Sequence, residues 1–152
     1  MDEPFRQRLR SQLSAIEPDY AFLASHGDEA VPILQELVAG DDERLAERAV
    51  VLAARIGSER SLELVREAAF SPHESLRAVA AARALSLPAE DRRRCLEVLL
   101  RDQAPSVRRL AVRAAGEARD PNLTALLAAV AEEDPEDLVR RTAEAVIERQ
   151  RS

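Results

Sequence analysis

The chain contains 152 residues with a formal net charge of −6, and its apolar residues make up 46% of the total while aromatic residues make up only 3%. This composition disfavours β-sandwiches and β-barrels, which rely on aromatic and β-branched strands, and it favours an all-α protein. No apolar run approaches the ~18 residues of a membrane span, and the single cysteine, Cys95, excludes an internal disulfide. We therefore expect a cytoplasmic protein that does not associate with a membrane.

Helical periodicity and turn residues divide the chain into ten predicted helices. Gly57 follows a helical run, where a glycine can take the left-handed conformation that ends a helix. Asp120 before Pro121 and Asp134 before Pro135 are typical of a helix start, with an aspartate N-cap followed by a first-turn proline. The predicted helices lie near residues 4–16, 18–25, 28–39, 42–56, 59–70, 73–86, 89–101, 105–117, 121–132 and 135–149.

A register of 31 residues relates these helices to one another. In the fourth, sixth, eighth and tenth predicted helices, small and apolar residues recur at this interval. Their spacing places them on one face of each helix. The first set begins with Leu45, Leu76, Val107 and Leu138 and continues with Ala49, Ala80, Ala111 and Thr142. The helices between them carry a set that includes Ile33, Leu64, Cys95 and Leu126. Because such a helix pair cannot bury its apolar face alone, we expect about four stacked pairs in a right-handed α-solenoid.

One segment carries a family resemblance. Residues 107–116 read VRRLAVRAAG and are followed by Asp120 and Pro121. This pattern resembles the V-R-x-x-A-A-x-A-L-G first helix of the HEAT-repeat superfamily, particularly of short bacterial HEAT-like proteins. Residues 76–85 form a second good copy, and the resemblance covers roughly residues 28–150. It implies an α-solenoid that most often serves as a protein-binding scaffold, with DNA-repair and bilin-lyase-related members in the minority.

The first residues depart from the repeat and carry an apolar stripe of their own. We predict an N-terminal helical cap over residues 1–27 that closes the end of a stack formed by residues 28–152 within a single domain. A partner-docking patch is the alternative interpretation of this segment. The stripe consists of Phe5, Leu9, Leu13 and Ile16, followed by Tyr20 and Phe22.

The sequence offers no catalytic or metal-binding constellation. His26 and His73 are the only histidines, and Cys95 stands at a leucine-equivalent position, so no spacing typical of metal ligands occurs. The acidic runs 41–43 and 132–134 fall between predicted helices, where they suit solvated turns. We therefore expect a non-enzyme that uses neither a cofactor nor a metal.

The second helix of each pair lines the concave side of such solenoids, and it gives the predicted binding surface. Phe70 is the only aromatic residue within the repeats, and it either anchors a partner or packs between repeats as core. Toward the C-terminus the same surface becomes small and apolar at Ala125, Ala128 and Ala129. The candidate partner-binding residues are Glu63, Arg66, Glu67, Phe70, Arg94, Glu97 and Arg101.

Residues 72–119 form a basic segment, with ten arginines against six acidic residues. Arg77 and Arg108 occupy equivalent positions, which in HEAT-like stacks commonly pair with an acid near the start of a neighbouring first helix. Glu74 and Asp102 are the candidate partners. A nucleic-acid interface is the alternative function, although the net negative charge and the shortage of aromatic residues disfavour it. Its candidate residues are Arg77, Arg108, Arg109 and Arg113.

The leading hypothesis is therefore a cytoplasmic, bacterial scaffold that binds a protein partner, or a second copy of itself, along the concave ridge. Nucleic-acid binding is the alternative. By family analogy alone, a lyase-like or chaperone-like subunit that handles a tetrapyrrole is a third hypothesis.

Overall fold

A computed structural model describes residues 3–152, and across them the chain is entirely helical, with ten α-helices and no β-strand. The helices are α1 (Glu3–Leu13), α2 (Tyr20–Ala24), α3 (Val31–Ala39), α4 (Glu43–Ile56), α5 (Glu59–Ala68), α6 (Glu74–Ala82), α7 (Ala89–Leu99), α8 (Pro105–Ala118), α9 (Thr124–Glu133) and α10 (Asp137–Gln150). Short 3-10 turns occupy Gly27–Ala30, Ala84–Ser86 and Pro121–Leu123. The predicted all-α class is therefore confirmed, and each predicted helix has a counterpart.

The even-numbered helices from α4 to α10 lie side by side. α4 contacts α6, α6 contacts α8, and α8 contacts α10. α3 and α5 contact each other and both contact α4, while α9 packs against α10. The buried apolar side chains form one cluster that extends from Phe5 in α1 to Val146 in α10. The even-numbered helices from α4 onward thus share a continuous core with the helices between them.

Local capping explains where α4 begins and ends and where α5 begins. The carboxylate of Asp42 accepts a hydrogen bond from the backbone N–H of Leu45 at 3.1 Å, which satisfies a donor in the first turn of α4. Gly57 ends α4 with φ of 69°, a conformation that a glycine adopts without steric cost. Ser58 and Ser61 then form a reciprocal pair of hydrogen bonds at the start of α5.

The first helix is shorter than predicted. Phe5, Leu9 and Leu13 of the predicted stripe are buried, but α1 ends at Leu13 and Ile16 is 90% exposed. The prediction that Ile16 completes the apolar stripe is therefore wrong. Pro18 disfavours a helical conformation at the residue before it, so the chain leaves the helix ahead of this position.

Arg48 of α4 connects this N-terminal segment to the rest of the molecule. Its guanidinium donates hydrogen bonds to the carbonyl oxygens of Leu13 at 2.7 Å and Ala15 at 2.5 Å. These carbonyls belong to the end of α1 and the turn after it, where helices leave acceptors unsatisfied. The position of α1 against α4 is thus set by directed hydrogen bonds as well as by apolar packing.

The register changes by one residue before α10. The third residue of α4, α6 and α8 is Leu45, Leu76 and Val107, respectively, and each is buried. In α10 the third residue is Val139, which is 1% exposed, whereas Leu138 is 53% exposed. The prediction that Leu138 belongs to the core is therefore wrong. One additional residue between α8 and α10 rotates the expected face by about 100°, which moves Leu138 outward.

Candidate functional site

Three candidate residues follow one side of α5 and its C-terminal end. Glu63, Glu67 and Phe70 are spaced by four and three residues, so their side chains lie along one face. All three are exposed, and Phe70 is 62% exposed. Of the two interpretations of Phe70, the structure selects the surface position over the core. We call these residues the α5 line.

A second line of residues runs along α7. Arg94, Val98 and Arg101 have the same spacing and are also exposed. Each stands 31 residues after its counterpart in the α5 line. Val98 was not among the candidate residues, although the register would have placed it beside Glu67. We call these residues the α7 line.

Arg66 joins the two helices. It forms an ion pair with Glu63 on its own helix and another, at 3.0 Å, with Asp91 on α7. The hydrogen bond from Arg66 to Glu63 raises the pKa of the guanidinium. Arg66 is therefore held between α5 and α7. It helps to fix the distance between the two lines and is not a free charge for a partner.

The remaining candidates differ in how firmly they are held. Arg94 pairs with Glu90 at 3.2 Å, and both side chains are about three-quarters exposed, so this pair is weak and open to exchange with a partner. Glu97 is half-buried and Arg101 is exposed. The exposed charges available for recognition are thus acidic on the α5 line and basic on the α7 line.

Arg77 and Arg108 lie inside the protein. The guanidinium of Arg77 donates to both carboxylate oxygens of Asp102, at 2.7 and 3.3 Å, and to the carbonyl oxygen of Ser71 at 3.1 Å. Asp102, rather than Glu74, is the acid that receives these hydrogen bonds, which raise the pKa of Arg77. Each arginine is 8% exposed, and Arg108 forms the equivalent pair with Asp134.

The four arginines of the nucleic-acid hypothesis do not form one exposed patch. Arg77 and Arg108 are buried in their ion pairs, and Arg109 is half-buried with its Nε donating to the hydroxyl of Thr142 at 3.2 Å. Arg113 alone among the four is exposed. Arg77 and Arg108 are thus buried in ion pairs within the fold, whereas Arg113 lies on the surface.

Cys95 and His26 are placed in packed environments, whereas His73 is exposed. Burial raises the pKa of the Cys95 thiol, with a further contribution from Asp91, so this side chain is a neutral part of the core. His26 packs edge-on against Phe5 and Phe22, with ring centroids 5.0 and 5.5 Å apart. Among residues 3–152 no three His, Cys, Asp or Glu side chains come together in a way that could hold a metal ion.

A comparison of the sequence with protein-family models gave no match, and neither did a search among curated proteins. In the part of the chain that the structure describes, no helix has both the length and the apolar character needed to cross a membrane. The fold defines the class of the molecule as an all-α protein, and the candidate site rests on the geometry of α5 and α7.

Proposed function

We propose that this chain is a non-catalytic interaction scaffold that binds a protein partner along the α5 and α7 lines. The observation that carries this proposal is the exposure of Phe70 beside the acidic residues of the α5 line and of Val98 between the arginines of the α7 line. Binding energy at protein interfaces concentrates in aromatic and arginine anchors that a polar rim shields from water. The two lines combine an exposed aromatic side chain, an exposed aliphatic one and two exposed arginines.

We also propose that the stack of helices is a short right-handed α-solenoid of the HEAT type. Two features support this proposal: the lateral contacts that relate α4, α6, α8 and α10, and the buried arginine–aspartate pair that occurs twice. In such a stack each helix pair covers the apolar face of its neighbour, which is how repeat proteins build a core from short units.

The charges indicate the chemistry of the partner. Glu63 and Glu67 would face basic residues of a partner segment, while Arg94 and Arg101 would face acidic ones, with an apolar side chain resting on Phe70 and Val98. A nucleic acid fits less well, because the acidic α5 line would repel its phosphates and two of the four candidate arginines are buried.

The proposal is tested by reversing the exposed charges of the two lines; in this variant Arg66 loses its ion pair with Glu63 and keeps the one with Asp91. The line variant combines Glu63→Arg, Glu67→Arg, Arg94→Glu and Arg101→Glu, which leaves the net charge unchanged. A control variant reverses four exposed charges elsewhere, also without a change in net charge. The control substitutions are Glu144→Arg, Glu148→Arg, Arg55→Glu and Arg60→Glu.

Each tagged variant, together with Phe70→Ala, is used for affinity capture from the native host, followed by mass spectrometry. We expect a set of proteins that the wild type and the control retain and that both the line variant and Phe70→Ala lose. If the line variant and Phe70→Ala retain every protein that the wild type captures, the proposed surface is wrong.

A further inference from the structure

A cavity of about 420 Å³ lies between the C-terminal parts of α8 and α10. Arg113 and Arg119 line it from the α8 side, and Arg149 lines it from α10, together with the acidic Glu117. This cavity is built on the even-numbered helices, so it is separate from the α5 and α7 lines. Its volume is within the range of small-molecule sites.

Arg119 adopts an unfavourable backbone conformation at the edge of this cavity. It has φ of 51° and ψ of 37°, and among residues 3–152 it is the only residue other than glycine with positive φ. Gly57 ends α4 in the same left-handed conformation and stands 62 residues earlier, two periods of the register. A side chain is disfavoured in this conformation, where α4 uses glycine. Such strain concentrates at functional sites.

The three arginines of the cavity have no partners within the described residues. Neither Arg113, Arg119 nor Arg149 forms an ion pair or a side-chain hydrogen bond there, in contrast to Arg77 and Arg108, which are fully paired. The two helix C-termini carry roughly half a negative charge each. Together with Glu117 they offset about two of the three positive charges. One net positive charge and three unpaired guanidinium forks remain.

We propose that this cavity binds the phosphate group of a small molecule. Guanidinium groups offer paired N–H donors that match the oxygens of a phosphate. Charge-assisted hydrogen bonds of this kind are stronger than hydrogen bonds between neutral groups. No aromatic side chain lines the cavity, so recognition rests on the phosphate and not on stacking with a base. Gln150 donates to the carbonyl oxygen of Gly116 at 3.2 Å, and this bond joins α8 and α10 where both residues line the cavity.

The test uses inorganic pyrophosphate, with phosphate, sulfate and chloride as comparison anions, at low ionic strength. Binding is followed by NMR from the backbone amides of Gly116 and Arg119. We expect saturable shifts with pyrophosphate at concentrations at least tenfold lower than with chloride. Arg149→Gln should weaken pyrophosphate binding at least fivefold, whereas the remote control Arg60→Gln should leave it within twofold.

Arg119→Gly separates binding from folding. Glycine removes the strain, so this variant should have a higher melting temperature than the wild type and yet bind pyrophosphate at least fivefold more weakly. Equal affinity for chloride and pyrophosphate would mean general attraction of counterions and would overturn the proposal, as would unchanged binding in Arg119→Gly. Tighter, Arg119-dependent binding of a DNA duplex than of pyrophosphate would overturn the assignment to a small molecule.

Discussion

Arg108 donates two hydrogen bonds to the carboxylate of Asp134, at 2.7 and 3.0 Å, and thereby joins α8 to the turn before α10. Both side chains are at most 10% exposed. Asp134 also accepts a hydrogen bond from the backbone N–H of Glu136 at 2.9 Å, so one carboxylate supports both the neighbouring helix and its own turn. Asp102 has the same two roles for Arg77 and for the turn before α8. α6, α8 and α10 are therefore held together by directed polar contacts in addition to apolar packing.

Removing Arg108 should cost more than removing an exposed arginine. Arg108→Met leaves the Asp134 carboxylate buried without its partner, and we expect the free energy of unfolding to fall by about 3 kcal/mol. The control is Arg94→Met. The pair between Arg94 and Glu90 is exposed, so its loss should change the free energy of unfolding little. Urea denaturation of both variants measures the difference.

The double variant Arg108→Met/Asp134→Leu should regain much of the loss, because an apolar pair leaves no unpaired charge in the interior. Equal stability of Arg108→Met and Arg94→Met would contradict a stabilising role for the buried pair of Arg108 and Asp134.

Stability should depend on pH through Asp134. Burial alone would raise the pKa of this carboxyl, but the hydrogen bonds from Arg108 and from the N–H of Glu136 outweigh it and hold the pKa below its ordinary value. Since the pKa is lower in the folded state, the stabilisation is complete above the unfolded pKa of about 3.9 and is lost as the pH falls through the folded value.

Asp134→Asn removes this titration. The wild type should therefore be more stable than Asp134→Asn at pH 6, and the difference should shrink as the pH falls below about 4. Asp41→Asn, at an exposed turn position, is the matched control and should show no comparable change. Thermal denaturation between pH 6 and pH 2.5 checks this, and a constant difference across the range would exclude the role of Asp134.

The arginine–aspartate pair is missing at the level of α4. Ala46 is the fourth residue of α4, where α6 and α8 carry Arg77 and Arg108, and a cavity of about 190 Å³ adjoins it. Ser71 stands 31 residues before Asp102. Its hydroxyl accepts a hydrogen bond from the backbone N–H of His73, just as the carboxylate of Asp102 accepts one from the backbone N–H of Ala104. The site thus has the space and the turn geometry for a third pair.

Ala46→Arg together with Ser71→Asp should supply that pair. We expect a favourable coupling of about 1–2 kcal/mol between the two substitutions, because each one alone places a charge without its partner. A double-mutant cycle of urea denaturation measures the coupling, with the two single variants as controls. Simple additivity would mean that the geometry at α4 differs from that at α6 and α8.

The sequence predicted the helices because they depend on local spacing and on the type of residue. It predicted acidic partners for Arg77 and Arg108 and named Glu74 and Asp102, but it did not name Asp134, which pairs with Arg108. Leu138 was misplaced because a single inserted residue leaves the composition of α10 unchanged while rotating its buried face. The exposure of Phe70 depends on packing between helices, which a pattern of residue types does not determine. Neither does any sequence rule place an arginine such as Arg119 in a left-handed conformation, since the rule for that position favours glycine.

Gly116 lies at a close contact between α8 and α10. A Cβ atom added there would overlap both γ-carbons of Val146, which is buried at 3% exposure. Glycine-to-alanine changes inside a helix ordinarily stabilise by about 1 kcal/mol. Here we expect Gly116→Ala to destabilise by about 1–2 kcal/mol, because the β-branched Val146 has little freedom to turn away.

The matched background for this prediction is Val146→Ala, which removes the γ-carbons. In that background the same Gly116→Ala change should become neutral or stabilising, since only the helix-forming advantage of alanine remains. Urea denaturation of the four proteins in the cycle gives both values. A stabilising effect of Gly116→Ala in the wild-type background would show that α8 and α10 are further apart than their contact at Val146 requires.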